Sequence, residues 1–234
     1  MPDTKLDIRV YPIDEPTGTT KAFASVSVND IVAMRGIRVI EDDKGAFISM
    51  PQSKDNKTGK FHDIAFPLSG DLRKEISKAT LEEYHRVSDL PSDQRGYENI
   101  EPENPPDIAV EDIHLDIRVY PLEEPSGNTK AFASVSIDNL IAIRGMRVIE
   151  GSEGHFVAMP QSQDKYATYH DVAFPLVGDL RKEISRQVLE KFDTEKNLGQ
   201  KASLETKLAE GTGKAAGHVA PQKSAAKAHP GVLE

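Results

Sequence analysis

Apolar and polar residues alternate along the first part of the chain. The period is two residues over 6–10 and again over 22–28, which is typical of half-buried β-strands. A Glu-Pro-Thr-Gly run at 15–18 predicts a turn between these strands, and Asn29-Asp30 predicts a tighter turn after the second strand. The pattern therefore predicts a mostly antiparallel sheet built from segments that are neighbours in sequence.

The period changes after this region. The apolar stretch 31–40 is long for a strand and contains Gly36, which predicts a β-bulge or a close approach of backbone. Ser69 offers an N-cap oxygen for a following helix. Beyond Pro67 apolar residues recur with the spacing of one helix face: Leu72, Ile76, Thr80, Leu81 and Tyr84. A sheet followed by one amphipathic helix is an α+β unit whose helix covers one sheet face.

The whole pattern occurs twice. LDIRVYPIDEPTGTTKAFASVSV begins at Leu6 and returns as LDIRVYPLEEPSGNTKAFASVSI at Leu115, 109 residues later. His62-Asp63 then pairs with His170-Asp171, so the second copy lacks one residue of the preceding loop, and such length changes mark surface loops. The helical spacing also returns, at Leu180, Ile184, Val188, Leu189 and Phe192. The chain is therefore an internal duplication of one small unit.

Charge and composition divide the chain into four parts. Copy 1 spans residues 1–87 and copy 2 spans residues 113–195, and each is small enough to have marginal stability alone. Residues 88–112 hold eight acidic groups, one basic group and four prolines, which predicts an acidic, extended linker. This linker supplies most of the net charge of −9. Residues 196–234 are rich in Ala, Gly and Lys and predict a disordered basic tail.

Several classes of function are disfavoured by what the sequence lacks. There is no Cys, so disulfides and thiol chemistry are excluded, and we find neither a signal peptide nor an apolar run able to insert into a membrane. The resulting expectation is a cytoplasmic protein. No nucleotide-binding or hydrolase motif occurs, and the two His-Asp pairs lack the convergent partners that a metal or general-base site needs. We expect no enzymatic activity, no metal and no cofactor.

An ordered series of motifs gives both copies a family likeness. In copy 1 the series is IRVIEDDKGAFISMPQSKDNKTGKFHDIAFPL followed by RKEISKATLEEYHRV. It resembles the SpoVG family (stage V sporulation protein G, septation regulator) over essentially the whole of both copies. The resemblance implies a compact sheet with a C-terminal helix, dimerisation through the sheet, and sequence-preferring binding of DNA and RNA in bacteria. It also implies a link to the control of septation, sporulation and other gene expression.

The tandem arrangement departs from the single-copy dimers that are usual in that family. It predicts an intramolecular pseudo-dimer, because a coil of the linker's length reaches roughly 25–30 Å, about the width of one unit, and a tethered partner has an effective concentration of about 1 mM. Pairing between chains and higher homo-oligomers stay open. Family members also commonly carry a basic pair after the Met-Pro-Ser segment and a His before the Pro that precedes the helix. Here these positions hold Lys54-Asp55 and Gln163-Asp164, and Phe66 and Phe174.

Exposed cations are the candidate nucleic-acid-binding residues, because Lys and Arg neutralise phosphates. Each copy offers a loop group and a group on the polar side of its helix. In copy 1 these are Lys54, Lys57, Lys60, Arg73, Lys74, Lys78 and Arg86. In copy 2 they are Lys165, Arg181, Lys182 and Arg186, with Tyr166 and Tyr169 as further candidates for base stacking. The loop of copy 2 has fewer lysines, so we expect copy 1 to dominate binding.

The same charges are also typical of an ordinary solvated surface, since Glu75, Glu82 and Glu83 lie on the same helix. Four strand arginines either face a ligand or pair with acidic residues across strands: Arg35, Arg38, Arg144 and Arg147. Our first hypothesis is a bacterial regulator that binds DNA or RNA through helix and loop. The alternative is a protein-interaction module that acts in cell division or regulation without nucleic acid. A third is a scaffold that forms higher oligomers.

Overall fold

The computed structural model describes residues 4–55, 58–95, 100, 107–163 and 167–213. In copy 1 the elements are β1 (Leu6–Pro12), β2 (Thr20–Val28), β3 (Val32–Asp42), β4 (Gly45–Ser49), β5 (Gln52–Lys54), β6 (Phe61–Asp63), β7 (Ala65–Pro67) and α1 (Gly70–Ser88). In copy 2 they are β8 (Leu115–Ser126), β9 (Thr129–Ile137), β10 (Ile141–Gly151), β11 (Gly154–Ala158), β12 (Gln161–Gln163), β13 (Tyr169–Asp171), β14 (Ala173–Pro175) and α2 (Leu180–Gly213). Short 3-10 turns occupy Ser92–Gln94 and Val110–Asp112.

Each copy builds one antiparallel sheet and one helix. In copy 1 β2 lies between β1 and β3, and β4 pairs with the second half of β3. Copy 2 repeats this arrangement with β8, β9, β10 and β11. β5 with β6, and β12 with β13, form separate two-stranded hairpins. The predicted fold class, two tandem α+β units, is confirmed.

The last short strand of each copy joins the sheet of the other copy. β14 pairs with the first residues of β3, and β7 pairs with the first residues of β10. The backbone N–H of Arg35 donates to the Val172 carbonyl at 2.7 Å, and that of Arg144 donates to the Ile64 carbonyl at 2.7 Å. For these two strands, the prediction of a sheet built from sequence neighbours is wrong. Both copies accordingly lie in one compact unit, Met1–Glu195.

The helix-covered faces of the two sheets share one continuous core. The helix residues predicted from the spacing are buried in it, including Leu72 and Ile76 of α1 and Leu180 and Ile184 of α2. Full burial of one such side chain contributes about 1.5–3 kcal/mol. Two units that are each too small for a large core therefore obtain a common one through the strand exchange.

The bulge, the tight turn and the helix N-cap predicted for copy 1 are also observed. Gly36 has φ +78° where the pairing of β2 with β3 is irregular, so this bulge needs a backbone conformation that favours glycine. Asn29 and Asp30 both have positive φ in the tight turn before β3, as expected for a primed hairpin turn. Ser69 caps α1, since its hydroxyl oxygen accepts a hydrogen bond from the backbone N–H of Leu72 at 3.1 Å.

Where it is described, the linker is packed rather than extended. The Arg95 side chain donates to Asp14 at 2.8 Å and to the Leu90 carbonyl at 3.0 Å, which holds the chain against copy 1 after the end of α1. Further along, Ile100 is buried. The prediction of an extended tether is therefore wrong for these residues. It was based on the average composition of the linker, which does not reveal single residues that pack on the folded units.

The tail also differs from its prediction. We expected disorder from residue 196, but α2 continues to Gly213. Residues 201–210 (KASLETKLAE) contain mainly strong helix formers, which explains the continuation. The rest of the predicted tail, 214–234, lies outside the described residues. Neither described helix has the length and apolar character that crossing a membrane requires.

Candidate nucleic-acid interface

The loop lysines of copy 1 lie on the hairpin formed by β5 and β6. Lys54 pairs with Phe61 in the ladder, and the backbone N–H of Asp55 donates to the Lys60 carbonyl at 2.8 Å. The Asp55 carboxylate also accepts a hydrogen bond from the N–H of Thr58 at 2.8 Å. Lys54 and Lys60 are exposed, and neither forms an ion pair with a described residue. The hairpin therefore presents two ammonium groups to solvent.

Asp63 joins this hairpin to the start of α1. Its carboxylate accepts hydrogen bonds from Arg73 at 2.9 Å and from Gln52 at 2.9 Å. Partial burial alone would raise the pKa of Asp63. The hydrogen bonds from Gln52 and Arg73 and the charges of Arg73 and Arg144 outweigh it, so the pKa lies below its ordinary value. Arg73, predicted to bind phosphate, is thus engaged in holding the loop and helix together.

The other helix cations of copy 1 have weaker attachments. Lys74 lies 3.5 Å from Asp71 and Lys78 lies 3.8 Å from Glu82, and all four side chains are largely exposed. Exposed pairs of this kind contribute little to stability, so the ammonium groups can exchange a carboxylate for a phosphate at small cost. Lys74 and Lys78 are one turn apart and lie on the same side of α1.

Arg86 lies apart from this group. It is 12 residues beyond Lys74, or roughly 18 Å along the helix axis, and its guanidinium donates to Glu83 at 2.6 and 2.8 Å. The structure therefore brings the hairpin and the first turns of α1 together, but places the last predicted cation of copy 1 at the opposite end of the helix.

Copy 2 repeats the helix cations with firmer partners. Arg181 is paired with Asp171, as Arg73 is with Asp63. Lys182 lies 2.8 Å from Asp179. Arg186 contacts Glu183 at 2.6 Å and Glu190 at 2.5 Å. Hydrogen bonds from Arg186 and Gln187 lower the pKa of Glu183 to about 2, so this carboxylate stays ionised beside Arg186 at any physiological pH.

The loop of copy 2 lacks the exposed lysines of copy 1 within the described residues. Gln163 replaces Lys54 and Thr168 replaces Lys60, while Tyr169 is exposed at the position of Phe61. Lys57, Lys165 and Tyr166 lie outside the described residues. The copies therefore differ, as the sequence predicts, in lysines that lie at equivalent positions of the two hairpins.

Two of the four strand arginines pack against aromatic rings across the exchange. The guanidinium of Arg35 lies 4.5 Å from the centre of the Phe174 ring, and that of Arg144 lies 4.6 Å from the centre of the Phe66 ring. Such cation–π contacts are attractive. Phe66 and Phe174 lie just before the Pro that ends each exchanged strand, and they supply the rings for both contacts.

Sequence reasoning missed a set of exposed aromatic residues on the sheets. Phe23 lies opposite Arg38 in the pairing of β2 with β3, and Phe47 lies opposite Ile40 in that of β3 with β4. The equivalent residues of copy 2 are Phe132 and Phe156, and all four rings are exposed. The signal was present in the alternation, because each Phe stands at a position that the strand period turns away from the core. Rings beside an arginine can stack on unpaired bases.

The comparisons with known proteins agree with this architecture. The model of the family described as SpoVG matches residues 4–86 and 113–194, one match for each copy. A relative from Myxococcus xanthus named "Putative septation protein SpoVG" is 37% identical over 89 residues, which cover 38% of this chain and 88% of the relative. Proteins of the same name from Anaeromyxobacter dehalogenans and Staphylococcus aureus are 36% and 34% identical over 87 and 88 residues, covering 84% and 86% of their own lengths. Each relative thus corresponds to about one copy.

Proposed function

Since this chain belongs to the SpoVG family through both of its copies, we propose that it is a nucleic-acid-binding regulator of the septation and sporulation type. It binds DNA or RNA through phosphate contacts from the hairpin and first helix turns, chiefly those of copy 1. The septation role is suggested by the names of its relatives.

One observation carries the choice of surface. In copy 1, Lys54 and Lys60 are exposed without ion pairs to described residues, and the Asp63–Arg73 bond fixes their hairpin to the helix turns that carry Lys74 and Lys78. Four exposed cations available to neutralise phosphates therefore lie on a hairpin and a helix that are joined by this ion pair. Nucleic-acid affinity depends mainly on such contacts.

The experiment compares two matched double variants of the full chain. Lys74→Glu with Lys78→Glu reverses the helix charges of copy 1, and Lys182→Glu with Arg186→Glu reverses the equivalent charges of copy 2. Arg73 and Arg181 are left intact because they bind Asp63 and Asp171. Affinity for oligonucleotides selected from random DNA and RNA pools is measured by gel shift between 50 and 200 mM salt.

The copy 1 variant should lose affinity at least tenfold more than the copy 2 variant. The slope of log affinity against log salt should also become shallower by roughly 2 for copy 1, one unit for each lost phosphate contact. A salt slope near zero for the unaltered chain would remove phosphate binding from the proposal, and equal losses in both variants would remove the preference for copy 1.

A further inference from the structure

Each sheet has a groove on the face turned away from its helix. The first groove, on the copy 1 sheet, is the place of Ser25, Ser27, Ala33 and Leu176, and of these Ala33 and Leu176 pack with Ile100. The second groove, on the copy 2 sheet, consists of the equivalent residues Ser134, Ser136, Ala142 and Leu68. In both cases the leucine directly follows the exchanged strand, so each groove is formed by both copies.

The first groove is filled by the linker. Ile100 is only 2% exposed and packs in a small apolar cluster with Ala33, Phe174 and Leu176. Ser25 and Ser27 are buried as well, although their strand positions face away from the main core. An aliphatic side chain from an acidic segment is therefore the natural occupant of this kind of groove.

The second groove is open. Leu68 is 46% exposed, whereas its equivalent Leu176 is 8% exposed. The Arg118 side chain is 68% exposed and that of its equivalent Arg9 is 25% exposed. A cavity of about 260 Å³ remains between Leu68, the two serines and the arginines of the sheet. Of the residues that the structure describes, none occupies the place that Ile100 takes in the first groove.

The chemistry of an occupant follows from the filled groove. Ile100 stands in the sequence Glu98-Asn99-Ile100-Glu101-Pro102, a branched aliphatic residue between carboxylates. The second groove has an apolar wall at Leu68. Its charged lining residues are Arg118, Arg144 and one carboxylate, Asp116. Its net positive charge complements an acidic segment, and its volume has room for one aliphatic side chain and lies below the usual range of small-molecule pockets.

We infer that the second groove is a docking site for an extended acidic segment of a partner protein, whose branched aliphatic residue enters it as Ile100 enters the first groove. The linker of the same chain is already seated on copy 1, where its tether gives it a high local concentration. Docking therefore falls to a segment of a different protein with linker-like chemistry. This surface is distinct from the hairpin and helix cations and does not depend on the proposed nucleic-acid binding.

The probe is a fluorescent peptide with the sequence of residues 95–107 (RGYENIEPENPPD), added to the full chain. Anisotropy and calorimetry should show one site per chain with a dissociation constant on the order of 10–100 μM, since one anchor and a short segment give a small interface. A peptide with Asp in place of the Ile should bind at least tenfold more weakly, because it lacks the apolar anchor.

Variants then locate the site. Leu68→Asp, at an exposed position, should weaken peptide binding at least tenfold, whereas Leu198→Asp, at another exposed leucine, should leave it unchanged. Ile100→Asp should open the first groove and raise the stoichiometry from one peptide to two. Unchanged binding in Leu68→Asp, or no binding to the unaltered chain at 1 mM peptide, would overturn the inference. Sedimentation that shows a dimer lost in Leu68→Asp would overturn the partner assignment in favour of a second copy of this chain.

Discussion

Leu176 and Leu68 are equivalent residues of two nearly identical sheets, yet Leu176 is buried under the linker and Leu68 is half-exposed. The sheets themselves do not cause this difference, since their strands pair in the same order and both contain an exchanged strand. The cause is connectivity. One linker joins the end of copy 1 to the start of copy 2, so it can cover only one of two equivalent grooves.

The hairpins show a second difference between the copies. Copy 1 has Lys54 and Lys60 where copy 2 has Gln163 and Thr168. Both copies have the ion pair between hairpin and helix, Asp63–Arg73 in copy 1 and Asp171–Arg181 in copy 2, which we call the latch. The residues that hold the hairpin on the helix are thus the same in both copies, whereas the residues that present charge differ. A duplication of this kind preserves the fold of both halves and leaves their surfaces free to diverge.

The largest predicted effect is the loss of stability when the Phe ring of an exchanged strand is removed. Phe174→Ala removes a buried ring that packs with Ile100, Leu176 and Arg35, and we expect a loss of about 3–5 kcal/mol in the free energy of unfolding. Phe66→Ala, its matched variant, removes a less buried ring and should cost about 1–2 kcal/mol, because it leaves a smaller cavity. Urea titrations of both variants measure the difference.

Equal losses from the two substitutions would show that the linker adds nothing to the packing of copy 1. Comparing Ile100→Ala, Phe174→Ala and the double variant tests this point directly. If Ile100 and Phe174 act together, the loss from the double variant should be smaller than the sum of the two single losses, as is usual for residues in contact.

A smaller effect is expected from restoring the loop charges of copy 2. Gln163→Lys with Thr168→Lys should raise nucleic-acid affinity about tenfold at 50 mM salt and steepen the salt slope by roughly 2, since two phosphate contacts are gained. Thr17→Lys with Ser152→Lys adds the same charge at exposed turns and serves as the control. Equal gains from both pairs of lysines would mean that net charge, not the hairpin position, determines affinity.

Much of the fold could be predicted because it has a period or a repeat. The alternation in β1 and β2 and the buried face of α1 each follow from several residues in a regular pattern. The bulge follows from Gly36, a glycine inside an apolar stretch that is long for a strand. The strand exchange could not be predicted, because Ala65–Pro67 is too short to show a period and the two sheets offer nearly identical edges. Nothing in a three-residue segment indicates which of them it joins.

The sequence predicted which cations belong to the candidate site, but not which carboxylates they bind. The cations of α1 and the β5–β6 hairpin could be named from the sequence, and their exposure follows from the helix face and the loop. That Arg73 binds Asp63 depends on the orientation of the hairpin on the helix, which no local pattern encodes. Ile100 was missed for a similar reason, since one aliphatic residue does not alter the average character of an acidic linker.

The smallest effect concerns acid sensitivity of the latch in copy 1. The pKa of Asp63 is lower in the folded chain than its ordinary value of 3.8, so its ionised form stabilises the fold above that pH, and this contribution is lost as the pH falls through the folded pKa. Asp63→Asn should therefore be less stable than the unaltered chain at neutral pH, with a gap that narrows only below about pH 3.8. Partial exposure of both Asp63 and Arg73 keeps the gap small.

Carbon-detected titration of the Asp63 carboxyl measures its pKa directly, and urea unfolding from pH 2 to pH 7 measures the gap. The same titration in Gln52→Ala with Arg73→Ala is the control, because these two residues donate the hydrogen bonds that lower the pKa. In that background the pKa should rise, since the remaining effect of burial favours the neutral acid. A midpoint that stays low without both donors would show that the charge of Arg144, from the opposite copy, holds the carboxylate ionised, and the latch would then depend on the pairing of the two copies.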